Sequence, residues 1–579
     1  MRIYIVAFLN FCALLFSAGL ATAQSPAPDL ILLNGKIFTS NAAQLYVEAV
    51  AIRGDRIVAI GESAKIKSLA GPVTKSVDLG GRTVIPGIND AHVHMGIQPA
   101  NTVELDLSGL NPSWDEVKKA LTTAVAKAPK GAILSGEIGP ATFFNLDCNR
   151  ESLDKISPDH PVMLMTLTGH AEILNSAALT KLGLRDGQPD PMGGRYEKDA
   201  NGKLTGVLRE YAVFDMYRVL DTMTSDADGI AELRDQLQRA AKFGITSIQN
   251  MSGTPPARFI SLAGKVPTPI RIRVMRIPPT TPAGRDLQEG AGLPLHPSPL
   301  ITVTGTKWLL DGVPLEHTFL PRTSGASGGL TSLEDGVLQL GLSLPKPEIA
   351  AILRETLESK DQLLVHVSGT PAATAMLDAM EASGGEKVWS GKRVRFEHGD
   401  GVLAEMLPRM KKLGIIDVEN PTHLGMISVM PELFHGKKLE KTQPLKSFLD
   451  AGIPLALGSD GPMNPYLNIM LASLHPDRSS EAITREQAVI AYTLTSAYAE
   501  FAEKEKGTLE PGKLADLAVL SQDIFTIPPP RNAENHICPH HRRRKNRLRR
   551  KDPALELKFH VSRTKPGGRV GLSARRELI

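Results

Sequence analysis

Short apolar segments alternate with longer amphipathic ones from residue 82 to about residue 500, and this alternation constrains the fold more than any other feature. Six apolar segments typical of buried strands lie at residues 161–166, 246–249, 301–304, 363–366, 394–398 and 453–457. The segments between them, such as 225–243, 346–360 and 371–383, have the apolar spacing of helices. Alternation over about 400 residues predicts an α/β fold with a (β/α)8 barrel of the TIM type. The active site of such a barrel lies at the carboxyl ends of its strands.

The segment from Gly81 to His94 contains two histidines at a spacing of two residues. We predict a buried strand from Thr83 to Ile88 that runs out into His92 and His94. Because side chains two apart on an extended chain point to the same face, the two imidazoles converge on one point. Two imidazoles at a strand end make half of a metal site.

Polar side chains follow four other predicted strands. Lys307, His366, His398 and Asp460 each end or follow an apolar segment at the predicted mouth of the barrel. A single histidine at a strand end is more often structural than a ligand, and an aspartate in a Gly-Ser-Asp-Gly sequence is most often part of a turn. Together with the histidine pair, the set predicts a metal-dependent active site.

Short strands flank the barrel on both sides. Residues 24–81 contain two strand-like segments with turns at Asn34-Gly35 and Gly54-Asp55. Residues 501–530 return to strand character, so we predict that both pieces form one small, discontinuous β-sandwich domain. The barrel is predicted to occupy residues 82–500.

The first 23 residues have the pattern of a secretory signal peptide. A basic start at Arg2 precedes an apolar run from Ile3 to Leu20 and a small-x-small sequence that ends at Ala23. We therefore expect an exported protein, periplasmic or secreted, with no membrane segment after cleavage; a retained anchor is the alternative. Only Cys148 and Cys538 then remain, which excludes a disulfide framework.

The net charge of +4 is distributed unevenly between residues 531–579, here called the tail, and the rest of the chain, here called the body. The residues from Arg531 to Ile579 carry 15 basic and 4 acidic side chains, which leaves 51 basic and 58 acidic side chains in the rest. We predict a disordered tail, and its abrupt change of character favours a reading frame altered relative to similar proteins. The alternative is a genuine basic arm that binds nucleic acid or an anionic surface. The acidic body and the export signal argue against nucleic acid as a partner.

Several motifs resemble, in order, those of the amidohydrolase superfamily. They are Val84-Ile-Pro-Gly-Ile-Asn-Asp-Ala-His-Val-His94, Thr168-Gly-His-Ala171, Gly202-Lys-Leu-Thr-Gly-Val-Leu-Arg-Glu210, Gly305-Thr-Lys-Trp-Leu-Leu-Asp-Gly312, Phe396-Glu-His398, Leu457-Gly-Ser-Asp460 and Gly507-Thr-Leu-Glu-Pro-Gly512. The set is similar to amidohydrolase family 3, whose members include metal-dependent hydrolases like N-substituted formamide deformylase. The likeness spans roughly residues 29 to 528.

The resemblance implies a role for each strand-end residue. It implies that His92 and His94 bind one metal, that a carboxylated Lys307 bridges two, and that His366 and His398 bind the second. Asp460 would touch the first metal and handle the proton, and His170 would face the substrate.

Two loops depart from the family pattern and weaken any inference about the substrate. Val367-Ser-Gly-Thr370 replaces a usual Gly-Asp pair. His317 stands near a position where relatives carry arginine, so we predict that it contacts the substrate.

The predicted function is hydrolysis of a non-peptide C–N bond in a small amide-like molecule. A divalent metal lowers the pKa of bound water from about 16 to about 7, and neutral imidazoles suit Zn²⁺. The predicted cofactor is therefore one or two divalent metal ions, Zn²⁺ by preference, with Asp460 as general base and then acid. An esterase or lactonase using the same site, and an inactive binding protein on this scaffold, are the alternatives. The sequence leaves open whether the chain forms a homo-oligomer.

Overall fold

The computed structural model describes residues 26–313, 322, 333–334, 337–359, 361–424 and 441–528. Its central element is a sheet of eight parallel strands in which neighbours in space are also neighbours in sequence. We number them β1 Ile88–Val93, β2 Ile245–Asn250, β3 Arg271–Arg276, β4 Ile301–Leu309, β5 Leu363–Val367, β6 Arg395–His398, β7 Ile416–Glu419 and β8 Leu455–Leu457. A parallel bridge between Val93 and Asp460 joins the last strand to the first. The predicted (β/α)8 barrel is confirmed.

Helices pack around this barrel. They are Asp226–Lys242, Pro256–Ala263, Lys346–Ser359, Thr370–Ala382, Gly385–Trp389, Leu407–Leu413, Leu445–Ala451, Pro465–Leu474, Arg485–Ile490 and Ser496–Ala499, with a 3-10 turn at Ala404–Met406, another at Ser479–Glu481 and a π turn at Ala491–Thr495. Between β3 and β4, where every residue is described, a short hairpin of Thr280–Thr281 and Gly284–Arg285 stands in place of a helix. Among the described helices, none combines the length and apolar character that a membrane crossing requires.

The helix Asp226–Lys242 illustrates how the sequence sets these elements. The Ser225 hydroxyl caps its first turn by accepting a hydrogen bond from the Asp228 amide at 3.2 Å. Leu233 and Leu237 lie one turn apart and are buried against the barrel core. Burying each leucine contributes about 1.5–3 kcal/mol. Replacing Ser225 by alanine would cost about 1 kcal/mol of cap stabilisation.

The residues between β1 and β2 in the sequence form a separate six-stranded sheet outside the barrel. Its spatial order is Gly194–Lys198, Leu204–Glu210, Ala171–Leu174, Val162–Thr166, Ile133–Ile138 and Thr102–Glu104, and it carries the helices Trp114–Val125, Pro140–Phe143, Arg150–Ile156, Ser176–Leu182 and Tyr211–Thr222. The prediction that residues 161–166 form a barrel strand was therefore wrong. Val162–Thr166 is almost wholly buried, as barrel strands are, so its apolar pattern could not identify its sheet.

Two four-stranded sheets form the small β domain. One has the order Arg56–Gly61, Ala49–Arg53, Leu30–Leu33 and Lys75–Asp78, and the short helix Ser63–Lys67 packs on it. The other has the order Leu517–Val519, Thr83–Pro86, Lys36–Phe38 and Tyr46–Val47. Side chains of both sheets share one apolar core, as in a β-sandwich. The strand after the barrel thus pairs with strands that precede it, which confirms the discontinuous sandwich.

The predicted strand from Thr83 to Ile88 is divided in two at Gly87. Thr83–Pro86 belongs to the sandwich, whereas Ile88–Val93 is β1 and already contains His92. A Cβ atom at Gly87 would lie 2.1 Å from the Thr246 hydroxyl oxygen. The chain therefore passes from sandwich to barrel at a point where only glycine fits against β2.

Candidate metal centre

His92 and His94 lie together at the carboxyl end of β1, and their Nε2 atoms are 3.1 Å apart. The opposite nitrogen of each ring is held by an acceptor. His92 Nδ1 donates to Glu397 Oε2 at 2.6 Å, and His94 Nδ1 donates to the Met251 carbonyl oxygen at 2.5 Å. These contacts leave both Nε2 lone pairs directed at the same point, as metal ligands require.

Asp460 lies between two pairs of histidines. Its Oδ1 is 3.3 Å from His94 Nε2 and 3.8 Å from His92 Nε2. Its Oδ2 is 3.3 Å from His423 Nε2 and 3.8 Å from His398 Nδ1. Burial alone would raise the pKa of Asp460, but the facing imidazoles, His92 first, hold it well below its usual range. The carboxylate is therefore ionised at neutral pH.

Gly458, just before this aspartate, brings β8 against β1. A Cβ atom at Gly458 would lie 2.3 Å from the Cβ of His92. The Asp460 amide also donates to the His92 carbonyl at 2.8 Å. The Gly-Ser-Asp sequence is thus the seam of the barrel, and it fixes the Asp460 carboxylate beside His92.

Lys307 points from β4 toward the same centre. Its side chain is buried, and its Nζ lies 3.2 Å from His92 Nε2. Burial lowers the pKa of Lys307 to about 8, although Glu397 and Asp460 oppose this shift. At pH 7 about a tenth of this amine is therefore unprotonated, a far larger share than in an exposed lysine.

His366 and His398 end the next two strands, and their ring centres are 4.4 Å apart. His398 Nδ1 lies 2.8 Å from Asn420 Oδ1, and His366 Nε2 lies 3.2 Å from the Gly312 carbonyl. Burial holds the pKa of both histidines well below the usual value. Both rings are therefore neutral at physiological pH, as metal ligands must be.

His170 reaches the centre from the six-stranded sheet. Its ring centre lies 4.9 Å from that of His366, and its Nδ1 donates to Glu210 Oε2 at 2.8 Å. The structure thus brings His170 together with the strand-end residues. His317, the other predicted substrate contact, lies outside the described residues. In the divergent loop after His366, the amides of Ser368 and Gly369 donate to Asp311 at 3.1 and 2.6 Å.

Sequence reasoning missed His423, which follows β7. The ring of His423 stacks on that of His398 with centres 5.1 Å apart. Burial would lower its pKa, but the carboxylates of Asp400 and Asp460 raise it to about 10. The apolar pattern of the sequence does not predict β7; the strand-end rule applied to Ile416–Glu419 points to His423. Glu397 and Glu210 were missed because acids that orient a histidine have no spacing signature.

The donor set fits a divalent metal ion. Among the described residues, two groups place their ligand atoms within 4.8 Å of one another: His92, His94 and Asp460, and His398, His423 and Asp460. Imidazole nitrogens with one carboxylate suit Zn²⁺ and related ions. The first group coincides with the predicted first site, whereas the second contains a histidine that we had not predicted.

Comparisons with known proteins agree with this architecture. Residues 75–548 match the sequence profile of the Amidohydrolase family. The chain is 29% identical to Protein LONG AFTER FAR-RED 3 of Arabidopsis thaliana, covering 90% of this chain and 92% of that protein. It is 28% identical to N-substituted formamide deformylase of Arthrobacter pascens, covering 86% and 94%. An uncharacterised metal-dependent hydrolase of Pyrococcus horikoshii OT3 has the same fold, with a TM-score of 0.63, 21% identity, and coverage of 88% of this chain and 99% of that one.

Proposed function

The chain belongs to the amidohydrolase family, and from this premise we propose that it hydrolyses an amide, formamide, N-acyl or cyclic amide bond with a metal-activated water. The observation that carries the proposal is the position of Asp460. Each oxygen of this partly exposed carboxylate faces a different pair of histidines at the mouth of the barrel. A carboxylate placed in this way can both touch a metal ion and accept a proton from water bound there.

We assign the metal ligands to the strand ends. His92, His94 and Asp460 would hold one ion, and His366 and His398 would hold a second, with Zn²⁺ as the ion that this donor set suits. A bound divalent ion would supply Lewis acidity and lower the pKa of water. Glu397 keeps His92 Nε2 free for this role, because the Glu397 carboxylate occupies the opposite ring nitrogen.

Lys307 is proposed to act as a carbamate. Its buried amine has a lowered pKa, so the neutral form is accessible for reaction with CO₂. The nitrogen would form a bond to the carbon of CO₂ and release one proton, leaving an anionic group with two oxygens. Such a group can bridge two cations, whereas an ammonium group cannot ligate at all.

Asp460 is proposed to move the proton. It would accept a proton as water attacks the carbonyl carbon, and would return it to the leaving nitrogen as the C–N bond breaks. Its lowered pKa keeps it in the basic form before attack. His170, held by Glu210, lies beside His366 and is placed to orient the carbonyl group of the substrate.

The substrate is proposed to be a small molecule. N-substituted formamides are the first candidates, because a relative aligned over most of this chain is named for that activity. A panel of formamides, N-acyl amino acids, cyclic amides and the matching esters and lactones would test the proposal. Faster hydrolysis of an ester than of its matching amide would favour the esterase alternative.

Metal content tests the site directly. Protein purified with zinc and bicarbonate should hold about two ions per chain, and Lys307→Ala should hold one or none. Lys446→Ala, which changes an exposed lysine, is the control and should match the wild type. About one ion in wild type and Lys307→Ala alike would make the site mononuclear and Lys307 structural. No metal in either would overturn the proposed function.

Export is a separate proposal. Residues 1–23 would direct the chain out of the cytoplasm and be removed, so that the mature chain begins at Gln24. Amino-terminal sequencing of protein recovered from the periplasm of a bacterial host would test this. Retention of residues 1–23 in a membrane fraction would favour the anchor alternative.

A further inference from the structure

The histidines at the mouth of the barrel share one construction. In each, one ring nitrogen is occupied by a fixed acceptor while the other is left for a different partner; in His398 the occupied nitrogen, Nδ1, is also the one that lies 3.8 Å from Asp460 Oδ2. The acceptors are Glu397 for His92, the Met251 carbonyl for His94 and Asn420 for His398. Such backing acceptors set the tautomer and orientation of a metal-binding imidazole.

His423 is built in the same way. Its Nδ1 lies 3.4 Å from Asp400 Oδ2, and its Nε2 points to Asp460 Oδ2 at 3.3 Å. Asp400 is itself held, because the Ser368 hydroxyl donates to it at 3.0 Å and the Gln443 side-chain amide donates to its other oxygen. A chain of hydrogen bonds thus fixes the His423 ring with Nε2 aimed at Asp460.

A purely structural histidine in the same region looks different. His475 is buried, whereas the His423 side chain is 21% exposed, and His475 Nε2 bonds the Gln443 carbonyl at 2.9 Å while its Nδ1 accepts from the Arg478 amide at 3.1 Å. Both of its ring nitrogens are therefore used by the backbone. His423 instead lies between two carboxylates, an arrangement that either a protonated ring or a cation bound at Nε2 satisfies, so a metal ion binding there would replace the Nε2 proton.

We propose that His423 is a ligand of the second metal ion, beside His398 and Oδ2 of Asp460. Asp460 would then contact both ions, Oδ1 on the His92 and His94 side and Oδ2 on the His423 side. Asp400 would be the positioning residue that orients His423, as Glu397 orients His92. This inference rests on the proposed function, because it requires that the centre binds metal.

The position of His366 is consistent with this assignment. His366 Nε2 faces the Gly312 carbonyl, and its ring lies beside His170, on the side of the six-stranded sheet. It is absent from both groups of converging ligand atoms among the described residues, whereas His423 is present. The second ion would therefore have His423 as a ligand in addition to the strand-end residues.

Metal analysis of substituted proteins tests the proposal. Wild type, His423→Gln, His423→Ala and the control His475→Gln would be stripped, reloaded with Zn²⁺ and bicarbonate, and assayed for ions per chain. We expect about two ions in wild type and the control and about one in both His423 variants. Glutamine can still hydrogen-bond Asp460, so unchanged metal content and affinity in His423→Gln would reduce His423 to a hydrogen-bond partner and overturn the proposal.

Two further measurements keep the test informative. Asp400→Asn leaves His423 in place but removes its charged acceptor, and should weaken binding of the second ion about 10- to 100-fold. Substitution with Co²⁺ should give a visible spectrum that changes in His423→Gln but not in His475→Gln. An unchanged cobalt spectrum in His423→Gln would overturn ligation. Wild type without metal would instead overturn the proposed function itself.

Discussion

Asp460 and the acidic pair on β7, Asp417 and Glu419, are all carboxyl groups near the ends of barrel strands, yet their surroundings are opposite: the Asp460 side chain is 23% exposed, whereas the other two are completely buried. Histidines surround Asp460, and its pKa lies well below the usual range. Asp417 and Glu419 are completely buried, and within the part of the chain that the structure describes none of their four carboxyl oxygens has a hydrogen-bond partner. Burial first, and then neighbouring acids such as Asp400, raise both pKa values well above the usual range.

The register of the sheet explains the contrast. Asp417 pairs with Phe396 and Leu455, and Glu419 pairs with Leu457. In-register residues on parallel strands share a face, so both acids face the apolar layer outside the barrel. The charge of a carboxyl group in this protein therefore depends both on its exposure and on the groups that face it.

The largest expected effect comes from Asp460→Asn. The amide cannot accept the proton from water, so turnover should fall about 10²- to 10⁴-fold. Asp417→Asn, a more deeply buried change on the opposite face of the sheet from Glu397, should leave turnover within a factor of about 2. Initial rates on the best substrate of the panel, with metal content measured in parallel, check both. Unchanged turnover in Asp460→Asn with its metal intact would remove the proton-transfer role.

Glu397 extends the comparison, because this buried acid is paired with a cation, Arg395. Arg395 is fully buried and donates two hydrogen bonds to Glu397, at 2.7 and 3.1 Å. Arg395→Met would leave the Glu397 charge buried with the His92 hydrogen bond but without its cationic partner, which should cost about 3–5 kcal/mol of stability. Urea unfolding gives the free energy. The double change Arg395→Met with Glu397→Gln should recover part of the loss, and equal losses in both proteins would argue that packing of Arg395 dominates.

A smaller, pH-dependent effect is expected for Asp417→Asn and Glu419→Gln. Both acids keep a proton in the fold that the unfolded chain releases above about pH 4. The stability of the wild type therefore falls as pH rises through this range, by up to about 1.4 kcal/mol per pH unit for each group. The amides do not titrate, so the stability of the variants relative to the wild type should rise between about pH 5 and pH 7. This increase should disappear below about pH 4. Parallel stability curves at all pH values would show that the pair has a charge partner in solution.

Asp378→Asn should have the smallest effect. This side chain is 60% exposed and pairs with Arg409 at 2.6 Å on the surface. Water and salt screen such a pair, so the loss should stay below about 1 kcal/mol and shrink further in 1 M salt. Thermal unfolding at two salt concentrations checks this. A loss as large as that of Arg395→Met would mean that this exposed ion pair contributes as much to stability as the buried pair of Arg395 and Glu397.

The fold and the strand-end residues could be predicted from sequence because both follow simple periodic rules. The barrel, the family and the class of enzyme, a hydrolase of non-peptide C–N bonds, are confirmed. The rule that active sites lie at the carboxyl ends of barrel strands led to His92, Lys307 and Asp460, which the structure places together. Their roles, the identity of the metal, export and the domain boundaries remain predictions.

What the sequence could not give depends on three-dimensional neighbours. Val162–Thr166 has the composition of a barrel strand but pairs in another sheet, since pairing partners leave no trace in one segment. β7 was not recognised because Asp417 and Glu419 interrupt its apolar pattern, and His423 was missed with it. Glu397 carries no local signal, because its importance comes from a contact with His92 across 305 positions of sequence.

The seam between β8 and β1 also has a consequence for synthesis of the protein. The hydrogen bonds from Ser459 to Asp90 join residues 369 positions apart. At about 5–20 residues per second, a ribosome would finish this part tens of seconds after His92 and His94 emerge. During that interval the histidine pair exists without the aspartate that completes the centre. The growing chain is therefore exposed to free metal ions and chaperones well before it can catalyse anything.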